Sequence, residues 1–247
     1  MNTVLSVILY VIISVFAAAA VYILFLVICA LAVDTKKEYN KNSRFYRGVL
    51  GITTAVSLAI AGARTDVVGG ERLPADGRFL FVCNHRSKFD PIVSWHVFRR
   101  YDLAFISKPE NFKVPVFGKL IRRCCFMAID REDTRKAFET VNRAVSLIKN
   151  DEVSVALYPE GTRNRDGEGL LPFHDGVFLI AQNARVPIVV ATVTGTEKIA
   201  KNFPLRRTRI RIEITEVIPA DEVCKTRRPE LSARIRSDME RSLEKEC

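Results

Sequence analysis

The 247-residue sequence has little of what metal, dithiol and serine-nucleophile chemistry requires. Its six cysteines, Cys29, Cys83, Cys124, Cys125, Cys224 and Cys247, form no CxxC pair and do not repeat at zinc-ligand spacing, which excludes a cysteine-based metal or redox centre. They are expected to be reduced thiols facing a cytosolic environment, the internal ones acting as small buried hydrophobes. Histidines number three, His85, His96 and His174, so few side chains can serve as a base at neutral pH. No Gly-x-Ser-x-Gly elbow surrounds Ser87, which removes the usual setting of a serine hydrolase. Neither an internal repeat nor a low-complexity linker is present. No Lys or Arg precedes the apolar N-terminal run, and the run is too long for a cleaved signal peptide, so it is expected to be retained.

What the chain does hold is charge of one sign and a long apolar segment. Charged residues make up 27% and hydrophobic ones 48%, an ordinary globular balance, but the net charge is +10. Such an excess favours an anionic partner, and the apolar N-terminus turns the choice toward a lipid surface and away from nucleic acid. Val4 to Val33 is almost unbroken apolar sequence, roughly 45 Å long as a helix against a hydrocarbon core of about 30 Å. Lys36, Lys37, Lys41, Arg44 and Arg47 follow, and positive flanks mark the cytoplasmic side. Gly48 to Ala63 is a second apolar stretch, about 24 Å if helical and bracketed by Arg47 and Arg64. Three arrangements are open: a helix pair dipping into one leaflet, a spanning helix plus an interfacial one, or a second helix buried in the soluble core. The expected division is a membrane-attachment segment over 1–63 and a catalytic domain facing the cytoplasm over 64–247.

From Arg64 onward short apolar runs alternate with amphipathic ones. Phe79–Cys83, Ala104–Ile106, Phe126–Ile129, Val153–Leu157 and Ile188–Val193 read as strands, and Ile210, Ile212 and Ile214 alternate as in a half-exposed strand. Asp90-Pro91 reads as a helix start with Asp90 as the cap, Thr134 caps a second helix, and Pro229 to Glu244 forms a polar closing helix. The alternation predicts an α/β fold, a mostly parallel or mixed sheet flanked by helices, behind an N-terminal hydrophobic helix pair. Ligands in such sheets gather beyond the strand ends.

Two runs at such ends carry chemistry. In Asn84-His85-Arg86-Ser87-Lys88-Phe89-Asp90, His85 can act as a base and Asp90 can orient it. Five positions on one regular helix would separate the two by about 140°, so the pair works only if a turn precedes the helix. Read alone, the same residues fit a helix cap and a surface histidine. In Tyr158-Pro159-Glu160-Gly161-Thr162-Arg163, Gly161 permits a tight turn, Arg163 suits a bidentate grip on phosphate, and Glu160 can orient Arg163 or organise the loop. Lys108, Lys119 and Arg131 are further cations between the runs, each also readable as a solvated charge. The cluster Lys198, Lys201, Arg206, Arg207, Arg209 and Arg211 suits anionic head groups or an acidic carrier protein, or is simply a solvated face.

These motifs together resemble the glycerolipid acyltransferase family typified by 1-acylglycerol-3-phosphate (lysophosphatidic acid) acyltransferase. Asn84, His85 and Asp90 match its Asn-His-x-x-x-x-Asp motif. Lys108, Pro109, Glu110, Pro115, Gly118 and Ile129-Asp130-Arg131 match its second, Tyr158 to Arg163 its third, and Val186 to Val189 its fourth. The resemblance spans residues 64–217 and the apolar N-terminus. It departs at Phe173-His174-Asp175-Gly176, where many members carry Phe-Lys-x-Gly, and at Val190 or Ala191, where a second proline is frequent.

The resemblance implies that His85 is a general base with Asp90 as its partner. The deprotonated hydroxyl of 1-acylglycerol 3-phosphate attacks an acyl thioester of coenzyme A or acyl carrier protein and yields phosphatidic acid. Arg163, Arg131 and Lys108 bind the acceptor's phosphate, in a pocket shaped by Glu160, Gly161 and Thr162. It implies no metal, no redox cofactor and no acyl-enzyme. The alternatives are another acceptor, such as glycerol 3-phosphate or a lyso-amino-lipid, or a non-catalytic membrane-tethered protein that binds anionic lipids.

Overall fold

A computed structural model describes residues 3–130, 132–165 and 169–245. In chain order the elements are α1 (Thr3–Leu31), α2 (Arg44–Ile60), β1 (Ala63–Val68), β2 (Leu80–Cys83), α3 (Asp90–Val97), β3 (Leu103–Ser107), α4 (Phe117–Arg123) and β4 (Met127–Ala128). They continue as α5 (Thr134–Lys149), β5 (Ser154–Leu157), α6 (Leu179–Ala184), β6 (Ile188–Thr194), α7 (Ile199–Asn202), β7 (Thr208–Ile218), α8 (Ala220–Lys225) and α9 (Arg228–Glu244). One seven-stranded sheet runs in the order β1-β7-β6-β2-β5-β3-β4. The strands from β6 to β4 are mutually parallel, while β7 is antiparallel to β6 and parallel to β1. This is the expected mixed α/β sheet.

Strand β2 sits at its centre, and Leu80, Phe81, Val82 and Cys83 are all fully buried. A strand covered on both faces needs such a continuous apolar run rather than an alternating one. The chain leaves β2 toward β3 on one side and leaves β6 toward β7 on the other. The crevice beyond the carboxyl ends of β2 and β6 is therefore the switch point at which such sheets bind ligands.

Helix α1 is long and apolar enough to cross a bilayer. Its first two turns onward are almost wholly exposed, and only Cys29 and Ala30 near its end are buried. The end of α1 pairs antiparallel with α2. The Tyr22 hydroxyl lies 2.9 Å from Thr53 Oγ1, Phe25 meets Phe45 edge-on at 6.5 Å, and the Tyr46 hydroxyl donates to the Cys29 carbonyl at 3.0 Å. Helix α2 packs on the domain, as in the core-helix reading, and keeps one apolar face open. Val49, Leu50, Thr54 and Leu58 face the domain and are buried, while Phe45, Ile52, Val56 and Ile60 form an exposed apolar face.

Several expectations need correction. Arg47 is not an exposed flanking charge: it is buried on the domain-facing side of α2 and donates to the carbonyls of Leu103, Asp102 and Cys124. The cap of α5 is Asp133, whose carboxylate accepts from the Arg135 and Lys136 amides, and Thr134 is the first helical residue. Helix α9 is not merely polar, since Leu231, Ile235, Met239 and Leu243 form a buried stripe at helical spacing against the sheet. Cys29, Cys83, Cys124 and Cys125 are buried free thiols, but Cys224 is exposed; Cys247 lies outside the described residues.

Candidate active site

Three adjacent strands deliver the site. His85 leaves the end of β2, Tyr158 leaves β5 on one side, and Thr196 follows β6 on the other. Asn84 anchors the exit from β2. Its fully buried amide accepts from the Val193 N–H at 2.7 Å and donates to the Val193 carbonyl at 3.0 Å, so it pairs with β6 as a further strand residue would.

The chain then turns before α3, and the turn decides the chemistry. Phe89, not Asp90, occupies the cap position of α3. Asp90 is the first helical residue, and its carboxylate reaches back over the preceding loop. Oδ2 accepts from His85 Nδ1 at 2.8 Å, from the Arg86 amide at 2.8 Å and from the Ser87 amide at 2.7 Å. Oδ1 accepts from the Thr196 hydroxyl. Asp90 is fully buried, and the Arg86 and Ser87 amides at Oδ2 can only donate, so the oxygen that faces His85 acts as an acceptor. His85 Nδ1 must then carry a proton, which leaves Nε2 with the lone pair when the ring is neutral. The expectation that Asp90 caps the helix fails for the same reason that the pair forms.

The imidazole is also held by its face and its backbone. The Tyr158 ring stacks on it at 4.1 Å and 14°, and Phe105 lies against Tyr158 at 5.8 Å. Burial pushes the Tyr158 phenol well above its usual range, so it remains a neutral support. The His85 N–H donates to Glu160 Oε1 at 2.7 Å, and the His85 carbonyl accepts from the Asn164 amide at 2.7 Å. Glu160, 3% exposed, uses its other oxygen for the Leu171 amide at 2.9 Å. Glu160 thus organises the loop rather than orienting Arg163. Burial raises its pKa, and the backbone donors from Leu171 and His85 oppose that rise.

A Glu160→Gln variant must aim an NH₂ group at one of those two amides. We expect it to lose about 1–3 kcal/mol of unfolding free energy, measured by urea denaturation, together with part of the turnover. An unchanged midpoint and rate would remove Glu160 from this bracing role.

The structure places the other anticipated residues as follows. Gly161 is buried at φ +69°, the left-handed conformation its turn requires, and its N–H returns to the Tyr158 carbonyl at 3.0 Å. Thr162 is exposed and Arg163 half-buried. Arg163 immediately precedes Asn164, whose backbone amide grips the His85 carbonyl, so the backbone of this loop is tied to the base. Lys108 is exposed at the end of β3, two strands and roughly 10 Å from β2 along the same edge. Gly118 abuts the Phe112 carbonyl so closely that a Cβ would stand 2.4 Å from its oxygen, which explains a glycine in the second motif. Arg131 lies outside the described residues.

Of the remaining histidines, one lies away from the site and the other reaches its loop through the backbone, since the His174 N–H donates to the Pro159 carbonyl at 2.9 Å. His96 Nδ1 lies 3.4 Å from the Thr54 hydroxyl of α2, and burial lowers its pKa. His174 is exposed. Ser87 is buried and its Oγ accepts from the Phe89 amide at 3.2 Å within the turn, and burial drives the Cys83 thiol well above its usual range. Sequence reasoning missed Thr196 as a partner of Asp90, Asn164 as a strap on His85, and Tyr158 as its stacking surface. For Tyr158 a signal existed, an aromatic at the end of a strand next to β2.

Comparison with known proteins gives concordant findings. A family model described as Acyltransferase matches residues 64–194. The 1-acyl-sn-glycerol-3-phosphate acyltransferase of Salmonella typhimurium is 30% identical over 176 residues, covering 70% of this chain and 71% of that protein. The protein of the same name from Escherichia coli is 31% identical over 179 residues, with the same coverage. The crystal structure of the 1-acyl-sn-glycerophosphate (LPA) acyltransferase PlsC from Thermotoga maritima has the same fold, with a TM-score of 0.69 over 93% of this chain and 92% of that chain at 22% identity.

Proposed function

The chain belongs to the acyltransferase family, and from that premise we propose that it moves an acyl group from a thioester of coenzyme A or acyl carrier protein onto the free hydroxyl of 1-acylglycerol 3-phosphate. The product is phosphatidic acid. The observation that carries the reading is the His85 Nδ1–Asp90 Oδ2 contact of 2.8 Å at a buried, fully satisfied carboxylate. The names of the relatives support the choice of acceptor.

In this reaction the acceptor hydroxyl gives its proton to His85 Nε2 as its oxygen bonds to the thioester carbon. Asp90 stabilises the imidazolium that results. The tetrahedral intermediate collapses, the carbon–sulfur bond breaks, and the imidazolium returns the proton to the leaving thiolate. Base and acid are the same ring, so the proton balance closes without a metal, a redox group or an acyl-enzyme. Arg163 holds the acceptor's phosphate, with Lys108 and Arg131 as further cations, while Glu160, Gly161 and Thr162 form the loop that carries Arg163.

The enzyme is membrane-associated through α1. We take residues 1–63 as its attachment, with one face of α2 packed on the domain, and 64–247 as its transferase domain; Lys36, Lys37 and Lys41 after α1 support a cytoplasmic orientation.

An acceptor and donor panel on purified, bilayer-reconstituted protein tests the proposal. Thiol release should be fastest with 1-acylglycerol 3-phosphate. Equal rates with a phosphate-free monoacylglycerol would overturn the phosphate assignment, and preference for glycerol 3-phosphate or a lyso-amino-lipid would overturn the acceptor.

A further inference from the structure

A second apolar surface remains after α1 and α2 are accounted for. In the turn between α7 and β7, Leu205 is 92% exposed and Phe203 49%. Lys201, Arg206, Arg207 and Arg209 flank them in the chain, all exposed, and no Asp or Glu occurs between Lys198 and Arg211. A single exposed leucine is unremarkable, but two exposed apolar side chains flanked by four exposed cations have the composition of an interfacial membrane contact.

Its position is more telling than its composition. Helix α2 ends at Ile60, 66% exposed and the last residue of the apolar face. Two residues on, the Gly62 carbonyl accepts from the Thr208 amide at 3.0 Å, and a Cβ on Gly62 would stand 3.4 Å from Arg207 Cα. The turn therefore abuts the end of α2, where the exposed apolar face of that helix stops. It also lies on the edge that carries the dyad. Because β7 runs antiparallel to β6, with Arg211 opposite Thr194, β7 begins beyond the strand ends from which His85 and Thr196 emerge.

We propose that the Phe203–Arg207 turn is a second membrane contact, with Phe203 and Leu205 set into the upper acyl region and the cations on anionic lipid head groups. It rests on the membrane attachment of α1 and not on the acyl-transfer mechanism. An acidic carrier protein matches the charge as well, but it would have to occupy the plane that the apolar face of α2 gives to the bilayer. Docking of the turn brings the dyad edge down to the interface where an acceptor lipid lies.

The test uses the full chain in vesicles with acyl-brominated lipid, with and without an anionic phosphatidylglycerol fraction. Trp95, the one native tryptophan, is 3% exposed and gives a constant background. Leu205→Trp adds a reporter at a position too exposed to disturb the fold, and Asp76→Trp adds one in the exposed turn before β2, at the opposite edge. The Leu205→Trp signal should shift to the blue and be quenched in anionic vesicles, while the Asp76→Trp signal is neither. Removing Arg206 and Arg207 as serines should lower the turn's docking constant about fivefold per cation.

Leu205→Trp fluorescence as unquenched as that of Asp76→Trp would overturn the proposal. So would a blue shift that occurs only when acyl carrier protein is added. A His85→Ala background should leave the quenching unchanged, so failure here and failure of the acyl-transfer reading are distinguishable.

Discussion

Replacing His85 by alanine is expected to lower kcat by on the order of 10⁴ and to leave the acceptor's KM nearly unchanged. The base is used only as the hydroxyl proton leaves, so its loss falls on the transition state and not on ground-state binding. Asp90 gives a sharper test. In Asp90→Asn the three donors at Oδ2 force the amide oxygen to that side, and the NH₂ turns to Thr196, whose hydroxyl can accept as well as donate. The His85 tautomer survives and only the negative charge is lost, so kcat should fall by about 10² rather than 10⁴. Asp90→Ala removes charge and acceptor together. It leaves the Arg86 and Ser87 amides without their acceptor, so it should approach the His85→Ala rate and also lose about 2–4 kcal/mol of stability. Thiol release from acyl-coenzyme A, with urea titration in parallel, separates the three variants. Native turnover in His85→Ala would sink the base assignment, and equal rates for Asp90→Asn and Asp90→Ala would sink the account of the tautomer.

The dyad was legible because it is local: five residues and one turn bring base and carboxylate together. Its supports were not, because the sheet supplies them. Thr196 reaches Asp90 across 106 positions, and only the pairing of β2 with β6 puts them in contact. Strand β1 escaped notice for a related reason. Ala63-Arg64-Thr65-Asp66 is polar and lies at the edge of the sheet, where β7 provides its partner from residues 208–213. Central strands announce themselves by an unbroken apolar run, as Leu80–Cys83 does; edge strands carry a pattern that only the partner completes. The cap of α5 shows the opposite failure. Asp133 and Thr134 are both good capping residues, and the backbone, not the propensity, chose between them.

The Arg163 assignment makes a prediction of a different kind from the dyad. A guanidinium on the acceptor's phosphate binds substrate and transition state alike, since the phosphate is remote from the bonds that change. Arg163→Ala should therefore raise the KM for 1-acylglycerol 3-phosphate by on the order of a hundredfold, two charge-assisted hydrogen bonds' worth, while kcat at saturation changes little. Arg163→Lys keeps the charge but not the planar fork and should recover only part of the affinity. A phosphate-free acceptor should be used equally poorly by native and variant enzyme, because it never engaged the cation. The loop supplies the reason to expect so clean a split. Glu160 and Asn164 hold the His85 backbone through their own bonds, and neither bond involves the Arg163 side chain. A fall in kcat equal to that of His85→Ala would instead mean that Arg163 positions the imidazole, and the acceptor's phosphate would have to be sought at Lys108 or Arg131.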